Sequence, residues 1–455
     1  MARTDRRIWG WWFFDWASQP YSTLLLTFVF GPYFAQAAVA DFTADGMDRA
    51  AAGAAAQSLW GWGLAISGVL IAVLSPLLGT VADRSGRRLV WIWAFSALYV
   101  AGAWMLWHLA PDGAGLYLAL MWFGIGLIGM EFATTFSNAM LPDLGSPQEI
   151  GRISGSGWAF GYLGGVLALA VMLAFFAERE DGRTLIGIAP IFGLDAAARE
   201  GTRAVGPFVA IWYVVFMIPF FLWVREPAKV GVVGIWTGAR EAWPNLMATL
   251  WRLPRQRSLF AFLGASMFYR DALNGMYAFG GLFAAGVLGW SVVEVGVFGI
   301  IGAVTGAVFA WLGGKADSRF GPRPVIAVSV LVLTAVALAV VFVSRERVFG
   351  MAVGPESRLP DLAFYLLGAL IGAAGGALQS ASRTMMVTQA DPARMTEGFG
   401  LYALSGKATS FMAPFLIGLV TWATGSQQAG IVPLVVLFLI GLVLLFWVKR
   451  DGDFA

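Results

Sequence analysis

Twelve long apolar segments dominate the chain, near 8–34, 58–82, 88–109, 115–140, 152–177, 206–224, 258–288, 292–314, 324–343, 361–388, 397–423 and 430–448. A polar stretch, 225–257, divides them six and six. Each segment is long enough to cross a hydrocarbon layer of ~30 Å at about 1.5 Å per residue. Backbone polar groups in hydrocarbon must be satisfied within the segment itself, so the segments are helices. The expected fold is therefore an all-α membrane bundle of twelve transmembrane helices. With 59% hydrophobic and 13% charged residues, a water-soluble chain of 455 residues could not hide its apolar surface.

The two sets of six are related. Gly79-Thr80-Val81-Ala82-Asp83-Arg84-Ser85-Gly86-Arg87-Arg88 joins the second and third segments. Gly313-Gly314-Lys315-Ala316-Asp317-Ser318-Arg319-Phe320-Gly321-Pro322-Arg323 joins the eighth and ninth, with one extra residue after its Asp. A basic turn repeated at matching places implies two six-helix pseudo-repeats, the organisation typical of secondary transporters. The expected domains are 1–224, a linker 225–257 and 258–455.

Loop charges orient the bundle. With both termini in the cytoplasm, inner segments hold 19 Lys and Arg and outer loops 8, the bias the positive-inside rule requires. The basic start Met1 to Arg7 and the small residues Ala38-Val39-Ala40 imitate a secretory signal. The apolar run between them is longer than the roughly 7–15 residues of a signal core and holds Asp15, Pro20 and Pro32. We read it as a retained first membrane helix. Trp236, Trp243 and Trp251 recur through the linker with six basic residues, which reads as a tether lying on the inner membrane surface. Helix-packing stripes appear as Gly157, Gly161 and Gly165 in the fifth segment and Gly302, Gly306, Ala310 and Gly314 in the eighth. Small residues spaced by four let helices approach closely, so these stripes are expected to meet as a seam.

Six ionisable residues fall inside segments: Asp15, Glu131, Arg270, Asp271, Arg383 and Lys407. The set is balanced in sign. That is what hydrocarbon demands, because one unpaired charge there costs at least ~2.5–3.5 kcal/mol. Such residues pair, bind a charged substrate or carry protons. Arg270 and Asp271 are adjacent, so on a helix they point in different directions and cannot satisfy only one another. The competing reading for each charge is a structural bridge.

Several chemistries fit poorly. The one histidine, His108, has no partner for a metal or a triad, and no H-E-x-x-H, G-x-S-x-G or G-x-x-x-x-G-K-[ST] pattern occurs. An enzyme, a metal site, a cofactor and an ATP-driven pump are therefore not expected. The absence of cysteine removes thiolate chemistry. Arginines sit in membrane-flanking turns rather than on one helical face, so no nucleic-acid partner is expected.

Two six-helix halves with a Gly-x-x-x-Asp-Arg-x-Gly-Arg-Arg turn resemble the major facilitator superfamily. Three stretches are similar to a narrower group, the vacuole-effluxer (autophagy-related vacuolar amino-acid effluxer) family and its bacterial relatives. They are Phe14-Asp15-Trp16-Ala17-Ser18-Gln19-Pro20-Tyr21, Ala377-Leu378-Gln379-Ser380-Ala381-Ser382-Arg383 and Gly400-Leu401-Tyr402-Ala403-Leu404-Ser405-Gly406-Lys407-Ala408-Thr409-Ser410-Phe411. The second basic turn is shifted by one residue, and Pro20 stands where a small residue is expected. The resemblance implies that helices 1, 4, 7 and 10, which carry five of the six charges, line a central cavity. It implies a secondary transporter working by alternating access on a small polar solute, with an amino acid as the first candidate cargo and efflux as the candidate direction, in a bacterial inner membrane. Arg270, Asp271, Lys407, Gln379, Asn274, Trp16 and Tyr402 are the candidate substrate contacts. Asp15 and Glu131, as membrane carboxyls, are the candidates for coupling to protons or another ion. Asp83, Arg84, Arg87, Arg88, Asp317, Arg319 and Arg383 are the candidate gate. A sugar or other organic solute is the rival cargo, and a non-transporting receptor or scaffold the rival class.

Overall fold

A computed structural model describes residues 2–226, 234–290, 292–354 and 356–453. The part of the linker at 227–233, with Lys229, lies outside the described residues. Twelve membrane helices follow in order. They are α1 (Ala2–Pro20, continued by Tyr21–Phe28 and Phe30–Ala44), α2 (Arg49–Ser85), α3 (Arg88–Met105), α4 (Leu116–Asn138), α5 (Pro147–Phe175) and α6 (Val205–Trp223), then α7 (Arg257–Leu288), α8 (Val292–Phe320), α9 (Pro322–Val341), α10 (Leu359–Gln389), α11 (Met395–Ala408 and Met412–Thr424) and α12 (Gln427–Leu444). Eleven of these spans are apolar enough to cross a membrane by composition alone. The twelfth, α7, is 32 residues long and carries Arg270 and Asp271 near its middle. An amphipathic linker helix, Ile235–Arg252, precedes α7. Between α9 and α10 a small hairpin pairs β1 (Arg347–Val348) with β2 (Met351–Ala352). Its two-residue turn puts Phe349 and Gly350 at positive φ, the twist that tight hairpins need.

The chain forms two compact units. The first holds residues 1–73, 87–137 and 160–228; the second holds 74–86, 138–159 and 229–455. The second unit therefore includes the C-terminal end of α2, the α4–α5 turn and the start of α5, all from the first sequence repeat. These pieces lie at its basic-turn end.

Two of the helices are interrupted, and the sequence states why. Pro20 has no N–H to give to the preceding turn, and the Trp16 carbonyl accepts instead from the Trp212 indole at 3.3 Å. The helix then widens to a π-helix over Tyr21–Phe28 and bends at Val29, a form common at functional sites. Helix α11 stops at Ala408 and restarts at Met412. Pro414, in the first turn of the restarted half, leaves one backbone bond unmade. The Ser410 hydroxyl bonds back to the Lys407 carbonyl at 3.0 Å, a local competitor of the helix ladder. The single span expected over 397–423 is thus two half-helices.

The glycine stripes pack differently from the expected single seam. In the second unit Gly155 meets Gly314 backbone to backbone, where a Cβ on Gly155 would lie 2.5 Å from the Ala310 carbonyl. Gly302 and Gly306 instead face Gly372 and Gly376 of α10. In the first unit Gly161 rests on Asp15, and Gly165 on Gln19 and Thr23 of α1. One stripe every four residues covers a face, but a helix in a bundle has neighbours on several faces, so the glycines divide among them.

Candidate functional site

The charged residues of α7 and α11 meet inside the second unit. Arg270 lies about 20 Å along α7, at 1.5 Å per residue. Its Nη1 donates to the Tyr402 carbonyl at 3.0 Å, and its guanidinium lies 4.2 Å from the centre of the Tyr402 ring. Gly406 makes room for it, since a Cβ there would touch the guanidinium at 2.6 Å. Asp271 turns the other way, as adjacency on a helix requires. It is 2% exposed, and its Oδ2 accepts from the Ala413 amide at 3.0 Å, at the start of the second half of α11. Its neighbour Tyr269 is fully buried and shares a hydrogen bond of 2.8 Å with Ser382 of α10. Lys407, Tyr402 and Gln379 are half-buried, and Asn274 is exposed.

In the first unit the interruption of α1 shapes a second polar group. Asp15 is half-buried one turn before Pro20, and Glu131 is half-buried on α4. Tyr21, at the first π-helical position, donates to the Phe123 carbonyl at 2.6 Å, which ties α1 to α4. Trp16 stands in an aromatic cluster with Phe160, Trp212 and Phe216. Its indole Nε1 is buried without a hydrogen-bond partner among the described residues.

The candidate gate residues divide. Asp83, at the end of α2, caps the first half of α11: Oδ1 accepts from the Thr396 hydroxyl at 2.7 Å and Oδ2 from the Glu397 amide at 2.9 Å. A carboxylate there satisfies orphan amides and meets the positive end of the helix dipole. Glu397, 3% exposed, accepts from the Thr80 hydroxyl at 3.0 Å and from the Thr249 hydroxyl at 2.5 Å. Thr249 lies on the linker helix, and Arg84 forms an ion pair with Glu241 of the same helix. The linker helix is thus fastened to the second unit along one face, while Trp236, Trp243 and Trp251 are exposed on the other. Close packing accompanies these bonds, for a Cβ on Gly79 would lie 2.6 Å from the Thr396 carbonyl and one on Gly400 2.6 Å from Pro76 Cα.

Asp317, of the second basic turn, is buried against Gly151 near the start of α5. The adjacent Ser318 hydroxyl accepts from the Arg152 amide at 2.9 Å. The two turns therefore do related jobs, the first at the start of α11 and the second at the start of α5. Arg383 of α10 is 3% exposed and binds the α4–α5 region. Its Nε donates to the Ser154 hydroxyl at 2.9 Å, Nη2 to the Ser154 carbonyl at 2.7 Å and Nη1 to Asn138 Oδ1 at 3.2 Å. The remaining gate arginines are elsewhere. Arg88 is buried in the first unit, where its amide and that of Leu89 bind Glu226 at 2.6 and 3.0 Å. Arg87 and Arg319 are exposed. Sequence reasoning missed Thr396, Glu397, Ser154 and Thr249; the one available signal was Thr396-Glu397 placed just after Pro392 at a helix start.

A helical bundle with paired basic turns, buried membrane charges and interrupted helices has the major facilitator fold. The fold is shared with the human organic anion transporter MFSD10 (TETRAN), at a TM-score of 0.68 and 18% identity over 97% of this chain and 99% of that one. It is shared equally with the major facilitator transporter FucP in its outward conformation, at a TM-score of 0.69 and 16% identity over 98% and 99%. The chain belongs to the family described as Vacuole effluxer Atg22 like, which matches residues 3–452. It is 25% identical to the uncharacterized MFS-type transporter YxiO of Bacillus subtilis over 99% of this chain and 96% of that protein. It is also 25% identical to Autophagy-related protein 22-1 of Aspergillus niger, over 66% of this chain and 48% of the fungal one. The protein is thus a multi-pass integral membrane transporter.

Proposed function

We propose that the protein is a secondary active transporter of a small zwitterionic solute, an amino acid first, coupled to protons and working by alternating access. The observation that carries this reading is the placement of charge. Cationic groups, Arg270 and Lys407, stand in the membrane part of the second unit, and carboxyls, Asp15 and Glu131, in that of the first. Arg270 and Lys407 suit a substrate carboxylate, with Gln379, Asn274 and Tyr402 of the same unit supplying neutral polar and aromatic contacts. Asp15 and Glu131 suit proton uptake and release. The description of the family, Vacuole effluxer Atg22 like, supports an effluxer. Both termini are assigned to the cytoplasm by the loop charges, and the Bacillus relative supports a bacterial plasma membrane. Asp83, Arg84, Asp317 and Arg383 are then a cytoplasmic gate, while Arg88 is buried in the first unit and Arg87 and Arg319 are exposed.

Counterflow in proteoliposomes loaded with a mixed amino-acid pool tests this. Saturable accumulation of one labelled amino acid is expected. Accumulation of a hexose instead, the cargo class of the neighbouring fucose:proton symporter, would replace the amino-acid reading. Two variants probe the roles. Asp15→Asn should abolish accumulation driven by a proton gradient while sparing exchange; if both persist unchanged, Asp15 does not couple. Lys407→Ala should weaken binding of a carboxylate substrate by about tenfold or more, since a hydrogen bond to a charged group contributes ~1.5–3 kcal/mol. Unaltered affinity would remove Lys407 from the site.

A further inference from the structure

The interruption of α11 creates a feature that transport of a solute does not by itself require. Asp271 is 2% exposed, and one carboxylate oxygen caps the 13-residue helix Met412–Thr424 through the Ala413 amide. The other oxygen, Oδ1, is buried with no hydrogen-bond partner among the described residues. The Thr409 hydroxyl, inside the interruption and 8% exposed, is also buried without a hydrogen-bond partner among the described residues. The surroundings are apolar and tight. A Cβ on Gly275, one turn after Asp271, would lie 2.9 Å from Leu434 and 3.0 Å from the Ala413 methyl.

The charges near Asp271 leave it uncompensated. Its neighbour Arg270 is committed to the Tyr402 carbonyl and ring. The second half of α11 and α12 carry no charged residue. The first half of α11 brings Glu397 and Lys407, and α10 brings Arg383; none of these forms an ion pair or hydrogen bond with Asp271, whose hydrogen bond among the described residues is the one to Ala413. A buried carboxylate left without a counter-charge is relieved by a proton or by a metal cation. A hard cation such as Ca2+ or Mg2+ takes about six or more oxygen ligands at close range, and the groups left without a hydrogen bond among the described residues here are one carboxylate oxygen and one hydroxyl.

We propose that Asp271 is a proton-carrying site whose charge state sets the joint between the two halves of α11. Ionised, Asp271 holds the restarted half by a charge-assisted bond to its positive end. When Oδ1 takes a proton from water, the carboxyl becomes neutral, the bond to Ala413 weakens, and the half-helix Met412–Thr424 is released to tilt. Deprotonation returns the proton to water and restores the cap. This moves Asp271 from a substrate contact to a second coupling group beside Asp15, and it rests on the reading of the protein as proton-coupled.

The chain lacks cysteine, so a single Phe411→Cys at the exposed cap position of the half-helix takes a bimane label without background. The labelled full-length protein in lipid nanodiscs is titrated with pH, with sodium or choline as the salt cation at fixed ionic strength. The expected result is one sigmoidal change in emission, the same in both salts. Asp271→Asn should remove it and hold the signal at its acid plateau, while Asp15→Asn should leave it in place. Titration of the Asp271→Asn protein like its parent overturns the proposal, and so does a midpoint that depends on sodium. If Asp271→Asn does not yield a monodisperse protein, Asp271→Glu is used, where a shifted midpoint is expected and an unchanged one is contrary. The readout needs no cargo, so failure of counterflow bears on the transport reading and not on this one.

Discussion

Arg383→Ala is expected to destabilise the protein by about 3 kcal/mol or more and to cut exchange flux by on the order of 100-fold. The guanidinium gives hydrogen bonds to the Ser154 hydroxyl, the Ser154 carbonyl and Asn138, and bonds to a charged group contribute ~1.5–3 kcal/mol each. Alanine leaves those acceptors buried where water cannot replace the donors. It also removes the stacking of the guanidinium over Trp158, at 5.5 Å. Arg383→Lys should recover only part of the loss, because a single ammonium cannot reach three acceptors as the planar fork does. The melting temperature in detergent and the counterflow rate measure the two effects. A variant that melts and exchanges as the parent does would show that Arg383 neither holds α5 nor acts as a gate.

Asp83→Ala should loosen the basic-turn end of the second unit. Loss of an N-cap costs about 0.5–2 kcal/mol, and loss of a charge facing the helix dipole a further ~0.3–1 kcal/mol. A combined loss near ~2 kcal/mol raises the opened population roughly 30-fold. Asp83→Asn keeps a capping oxygen and loses only the charge, so a change of a few-fold is expected. Met395, 3% exposed at the capped end of α11, reports the opening when replaced by cysteine. Its alkylation rate should rise in the order parent, Asn, Ala. Equal rates in all three would mean that Asp83 does not secure α11.

Much of this was legible in the chain before any coordinates. Segment lengths fixed the number of helices, because a bilayer imposes one length and complete internal hydrogen bonding on each. The two basic turns revealed the repeat. The adjacency of Arg270 and Asp271 foretold that they would diverge, and they do, one to Tyr402 and the other to Ala413. The glycine stripes were visible as packing surfaces, but not their partners: spacing by four reveals a face and not what lies against it. The interruption of α11 had a signal in Pro414 and in Thr409-Ser410, obscured because hydropathy runs on through them.

What the sequence determined by itself was the membrane class, the twelve spans, the repeat and the list of charges that hydrocarbon would make expensive. These follow from properties that each segment has alone. Tertiary structure decided which acceptor each charge would have. Asp83 could have been a loop aspartate, and became the cap of a helix more than 300 residues away. Arg383 met Ser154 and Asn138, both remote in sequence. A buried charge is stabilised by whichever dipoles packing brings within ~3 Å, and that selection is made by the fold and not by any one segment.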